Sequence, residues 1–149
     1  MKGMSGGQSK SKRMNTCPFC EPTQRVLRKN GRAFVLLSDP RRMEGHFLVI
    51  PKRHVEDPRE ITREEVGDIF DLVKFVQSRI IGALAEGADV RQHYRPFLSQ
   101  GRTKVDHIHY HVMPRAFKDR LFTEVEFNDS AMFEDLPQEE HDRIAKLLE

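Results

Sequence analysis

The sequence predicts an α+β domain: an antiparallel β-sheet with one long helix and a short C-terminal helix. Short apolar runs bounded by turn residues come in pairs, a single amphipathic stretch separates them, and no internal repeat is present. With 149 residues the chain can bury one core but hardly two.

Val26 to Lys29 and Arg32 to Leu37 flank Asn30-Gly31, a dipeptide suited to a two-residue hairpin turn. Gly45 to Pro51 forms a third strand, nearly continuously apolar and therefore expected at the sheet centre. Thr62-Arg-Glu-Glu65 is a capping box, and Val66, Ile69, Phe70, Val73, Val76, Ile80 and Leu84 recur at helical spacing. This predicts a helix to about Glu86, with Gly87 as the stop. A strand near His93 to Ser99, a loop over 101–106 and a strand from His107 to Met113 follow. Leu121 to Phe127 alternates like an edge strand, and Asp135-Leu-Pro-Gln138 is expected to cap the last helix.

The longest apolar runs, Ala33 to Leu37 and Phe47 to Ile50, fall far short of the roughly 20 residues of a membrane span. The Lys/Ser/Gly-rich start lacks the apolar stretch of a secretory leader, so the expected location is cytoplasmic. Residues 1–14 read as a disordered basic tail and 15–149 as one domain, with a core at 15–115 and an acidic extension at 116–149. The net charge of +2 is unevenly spread: +4 over the first 13 residues, +5 over 14–118 and −7 over 119–149. The middle of the chain therefore favours an anionic small-molecule ligand. Four basic residues without interleaved aromatics make a poor nucleic-acid signature.

Chemistry concentrates in two motifs. Cys17-Pro-Phe-Cys20 holds both cysteines, at the spacing of a metal knuckle or a redox pair. It lacks the strand-then-helix setting of a thioredoxin-type site, and two thiolates need two further ligands for a closed tetrahedral centre. Histidine is the natural complement. The second motif is Asp106-His-Ile-His-Tyr-His-Val-Met113. On an extended strand His107, His109 and His111 share one face, with neighbours anchored roughly 6.6 Å apart. One ion can bind two of them but hardly three, so the set needs at least two roles.

These motifs, with Gly45-His46-Phe-Leu-Val-Ile-Pro-Lys-Arg-His54 between them, resemble those of the histidine-triad (HIT) superfamily, in its zinc-binding, hydrolase-like branch. The resemblance covers about residues 15–115. It implies a HIT-like fold and a nucleotide hydrolase or transferase in which His109 attacks the α-phosphate, forming a nucleotidyl-histidine intermediate. It implies phosphate-oxygen donors at His111 and His46, and a structural Zn2+ on Cys17, Cys20, His54 and His107. It also places Phe19 at a base pocket and Asp39, preferred over Ser38, at the ribose. Many relatives carry an Asn-containing, Gly-Gln-rich loop before the triad. Here Ser99 and Gln100 are the candidates to replace its polar contacts, and Arg102 or Lys104 to add charge. Candidate substrates are phosphoramidates, dinucleoside polyphosphates and adenylated conjugates, and a homodimer through sheet edge and long helix is expected. Two rivals stand beside this reading. One is a non-catalytic nucleotide- or protein-binding module; the other is a metallohydrolase with a catalytic ion on His107 and His109.

Overall fold

The computed structural model describes residues 17–149, so the basic tail expected at 1–14 lies outside the described residues. These residues form two compact units, 17–117 and Lys118–Glu149. The first is a five-stranded antiparallel sheet: β1 (Arg28–Lys29), β2 (Ala33–Leu37), β3 (Phe47–Pro51), β4 (Gly87–Gln92) and β5 (Tyr110–Arg115). Their spatial order is β1-β2-β3-β5-β4, with β3 in the centre as its apolar sequence demands. The long helix α1 (Arg63–Ile80) connects β3 to β4. This is the α+β class expected.

The sheet is covered on both faces. Ala33, Val35, Val49 and Val112 pack against Ile69, Leu72, Val73, Val76 and Ile80 of α1. The alternate residues Phe34, Leu36, Leu48 and Ile50 face a second cluster with Cys17 and Phe19. Period-two alternation thus divides each strand between a helix layer and the cysteine knuckle. Val66 and Phe70, counted in the helical stripe, remain exposed, while Leu72 and Glu65 are buried.

The capping box forms as expected: the Glu65 N–H donates to Thr62 Oγ1 at 3.1 Å, and the Thr62 N–H to Glu65 Oε1 at 3.0 Å. Glu65 also takes two hydrogen bonds from Arg53, at 2.8 and 3.1 Å, which hold its carboxyl down at about 2. The start of α1 is thereby tied to the segment that follows β3.

Several boundaries differ from the sequence reading. The helix ends at Ile80, not near Glu86, because Gly82 takes φ +90° in a turn closed by Gly82 N–H to Ala85 O. The strand expected at 93–99 lies at Gly87–Gln92. Its only core-facing apolar residues are Ala88 and Val90, and Asp89 on the other face pairs with Arg91 and Arg115, so its apolar signal is faint. The first hairpin turns on Gly31-Arg32, one residue late, because the Asn30 side chain accepts from the N–H groups of Arg32 and Ala33. His107 and His109 precede β5 rather than lie within it; the chain is held there by Ile108 N–H to Val55 O at 2.7 Å.

In the second unit, Leu121 to Phe127 is helical rather than an edge strand. Asp119 accepts the Phe122 N–H at 2.9 Å and starts a wide helical turn over Phe122–Glu126. The last helix, α2 (Gln138–Ala145), begins after Pro137 without a side-chain cap, so Asp135 does not cap it. Among the described residues no helix is long and apolar enough to cross a membrane.

Thr62→Ala removes one half of the capping box and is expected to lower unfolding stability by about 1 kcal/mol. Urea denaturation of the two proteins side by side checks this.

Candidate active site

Cys17, Cys20, His54 and His107 converge although the sequence separates them by up to 90 positions. Each offers one ligand atom, and the four atoms lie within 4.8 Å of one another. Cys17 Sγ is 3.4 Å and Cys20 Sγ 3.7 Å from His107 Nδ1; His54 Nδ1 is 3.2 Å from both Cys20 Sγ and His107 Nδ1. Zinc–sulfur and zinc–nitrogen bond lengths give tetrahedral edges of about 3.3–3.8 Å, so these spacings fit a zinc cage. The outer nitrogens are also placed for it. His107 Nε2–H donates to Pro51 O at 2.8 Å, and His54 Nε2–H to Glu56 at 2.9 Å, leaving both Nδ1 lone pairs toward the cage. Burial first, and then the neighbouring Cys17, push the Cys20 thiol up to about 11, so metal binding there would release protons.

The carbonyl of His107 accepts a 2.8 Å hydrogen bond from His109 Nδ1–H. That bond leaves the proton on Nδ1 and the lone pair on Nε2. The ring of Phe19, carried by the knuckle, stands edge-on to His109 at 5.1 Å and to His107 at 5.8 Å. A second chain of donors fixes the other pair. The Arg42 backbone N–H donates to His46 Nδ1 at 3.1 Å; His46 Nε2–H then donates to His111 Nδ1 at 2.8 Å. The proton of His111 is therefore on Nε2. Backbone groups cannot exchange donor for acceptor, so every tautomer in the constellation is determined.

Gly45 positions His46. Its φ is +79°, and a Cβ there would approach Leu84 Cδ1 to 2.6 Å and Pro114 Cγ to 3.0 Å. The imidazoles are also kept neutral. Burial, followed by Arg42 and His109, lowers His46 to about 4. Burial, followed by His109 and His46, lowers His111 to about 2. Burial lowers His109 as well, partly opposed by its bond to the His107 carbonyl.

These groups open into a cavity of about 480 Å³ lined by Phe19, Ser38, Asp39, His46, His109 and His111. Ser38 Oγ donates to Pro40 O at 2.8 Å, which commits its proton, whereas the Asp39 carboxylate is exposed, 3.7 Å from Arg102. Of the two ribose candidates, Asp39 keeps the freer acceptor. Ser99 and Gln100 are not brought to the cavity; Gln100 Oε1 accepts the Asp106 N–H at 2.8 Å instead. Gly101, Arg102 and Thr103 line it in their place, and Lys104 pairs with Asp106. The sequence reading missed Arg41 and Arg42, which also line the cavity. An Arg-Arg pair in a loop looks like ordinary solvated charge, and only its position between Asp39 and His46 hinted at more. It missed His93 as well, whose ring packs on His111 at 5.4 Å.

The HIT domain family model matches residues 20–118, and the chain belongs to that family. It is 36% identical over 75 residues to the adenosine 5'-monophosphoramidase of Schizosaccharomyces pombe, covering 48% of this chain and 50% of that protein. It is 30% identical over 95 residues to the asymmetrical bis(5'-nucleosyl)-tetraphosphatase of the same organism, covering 58% and 50%. The matched region thus spans about half the length of these relatives. A HIT-family crystal structure from Bacillus subtilis superposes with a TM-score of 0.70 at 22% identity, covering 89% of this chain and 94% of that one. A zinc-bound histidine-triad protein from Mycobacterium smegmatis gives 0.54 at 25% identity, covering 85% and 87%.

The depressed pKa values of His46 and His111 make stability pH-dependent. Their unfolded value is 6.5 and their folded values lie well below it, so the unfolded chain binds the extra protons. The stabilisation is present above pH 6.5 and is lost as pH falls, toward about 4 for His46 and about 2 for His111. Thermal unfolding followed between those pH values should decline less steeply in His111→Asn than in the wild type.

Proposed function

We propose that this protein is a nucleotide hydrolase or transferase that attacks the α-phosphorus of its substrate with His109 Nε2. The observation that carries the reading is the hydrogen bond from His109 Nδ1–H to the His107 carbonyl. It aims an unprotonated Nε2 into the cavity and stabilises the positive charge that the ring gains on attack. The new N–P bond forms as the bond to the leaving group breaks; the departing atom keeps the electron pair and takes any proton it needs from solvent, while His111 Nε2–H donates a hydrogen bond to a phosphate oxygen. His46 Nε2–H, donating to His111 Nδ1, holds that ring with its own N–H toward the substrate. Water then attacks the nucleotidyl-histidine; the new O–P bond forms as the N–P bond breaks, the proton of the water passes to solvent and the imidazole is freed. The neutrality of the buried rings keeps the nucleophile unprotonated at pH 7.

In this reading Phe19 borders the base and Asp39 meets the ribose, as their places on the cavity wall support. The names of the two fission-yeast relatives support a nucleotide substrate with either an amine or a phosphate leaving group. Cys17, Cys20, His54 and His107 would hold one zinc, which when bound supplies a fixed tetrahedral node and no open position for water. The thiols suit a reducing compartment such as the cytoplasm. A homodimer through the sheet edge and long helix completes the reading, and the exposed Val66 and Phe70 of α1 offer apolar surface for it.

His109→Ala should keep its fold by circular dichroism and lose roughly three orders of magnitude or more in kcat/KM on adenylyl substrates. Wild-type rates in that variant would end the proposal. Quenched-flow mass spectrometry should find the nucleotidyl adduct on His109. Metal analysis should find one zinc per wild-type chain and none in Cys20→Ala; chelation should lower the melting temperature of the wild type.

A further inference from the structure

The loop that leads from Asp39 into β3 is closed on itself. The Ser38 N–H donates to His46 O at 2.7 Å, and the His46 N–H to Met43 O at 3.3 Å. Inside that closure the Arg42 N–H donates to the His46 ring at 3.1 Å, and His46 in turn to His111 at 2.8 Å. The main chain of Arg42 is thereby fixed beside the two rings that face the phosphate in the reading above. Its side chain lines the same cavity as His46, His109 and His111. That wall is short of charge. Burial keeps all three rings neutral, and a neutral imidazole donates a hydrogen bond without supplying a positive charge. Among the described residues the cavity is bordered by three arginines, Arg41, Arg42 and Arg102, and by a single acid, Asp39. Arg102 lies 3.7 Å from that acid. Arg42 forms no ion pair among the described residues, and of the three it is bonded through its backbone to one of the rings. Its charge is felt there: after burial, Arg42 is the next cause that holds His46 low, and it acts on His111 as well.

We propose that Arg42 is a catalytic residue whose guanidinium contacts the non-bridging oxygens of the α-phosphoryl group and offsets their charge during attack. The inference rests on the proposed attack by His109. As His109 Nε2 bonds to phosphorus, the bond to the leaving group breaks and its electron pair departs with that group. The negative charge spread over the equatorial oxygens then needs more than neutral donors, and a guanidinium presents a planar pair of N–H groups that suits two of them. Because the contact is to the adenylyl group itself, it serves an amine and a phosphate leaving group alike.

Every replacement of Arg42 except proline retains the N–H that sets His46, so the charge can be removed without disturbing that ring. The side chain is exposed, and the variants should keep their fold by circular dichroism. Arg42→Gln should lower kcat about thirtyfold or more, with KM changed less than about threefold, on both adenosine 5'-phosphoramidate and diadenosine tetraphosphate. Arg42→Lys should recover part of the loss, and millimolar guanidinium chloride should speed Arg42→Ala where equal sodium chloride does not. A raised KM with kcat unchanged makes the charge a mere attractor of anions and overturns the proposal. A loss confined to the tetraphosphate overturns it too, as does failure of both lysine and guanidinium to restore any rate. Should the wild type cleave neither substrate, the proposed attack by His109 falls, and calorimetric titration with AMP and with adenosine judges Arg42 by itself. AMP binding weakened about tenfold in Arg42→Gln, with adenosine binding kept, upholds the phosphate contact. Equal AMP affinities in the two proteins overturn it.

Discussion

The 2.8 Å hydrogen bond from His109 Nδ1–H to the carbonyl of His107 is the contact on which the site depends. A carbonyl only accepts, so the proton must sit on Nδ1 and the lone pair must face the cavity. The carbonyl is itself immobilised, because the His107 side chain is locked between Pro51 O and the Cys/His cluster. One residue therefore faces two ways: its ring belongs to the Cys/His cluster and its backbone to the neighbouring imidazole. On the other side of His109 a backbone N–H performs the complementary task, setting His46 and through it His111. Donor direction, carried from main chain to ring to ring, turns chemically identical side chains into different instruments.

The fold serves this arrangement by bringing three distant segments together. β3 ends in Pro51, whose carbonyl anchors His107, and runs on to His54. The Val55–Ile108 hydrogen bond then lays the histidine segment alongside. The knuckle closes over it with Phe19 against two of the rings. Burial on this scale disfavours imidazolium, and the nearness of the rings to one another and to arginine disfavours it further, so the rings stay neutral.

Much of this was legible in the sequence, and the reasons are specific. The capping box of Thr62 and Glu65 is a local signal, as is the apolar run of β3, and both are found where expected. The alternation of His107, His109 and His111 announced separate roles, and the four ligand candidates do converge. What was not legible depends on distant partners or on single residues. Gly82 ends α1 about one turn before the apolar periodicity does, at Leu84. β4 takes its place from two salt bridges and only two small apolar residues. Gln100 looked like a ligand contact because of its composition, yet its carbonyl is occupied within its own loop. Arg42 and His93 gain their significance only from the rings beside them, which no linear pattern displays.

The division of the sheet between two covers has a further result. The layer of Phe34, Leu36, Leu48 and Ile50 is roofed by Cys17 and Phe19, a turn of a few residues with little apolar surface of its own. Such a small roof needs an anchor, and the Cys/His cluster is where it is fastened. Unfastened, it would uncover a flat oily β-surface of the kind that makes chains stick to one another. The cluster then bears on solubility as well as geometry, because the side chains that fasten the knuckle also keep this apolar layer covered.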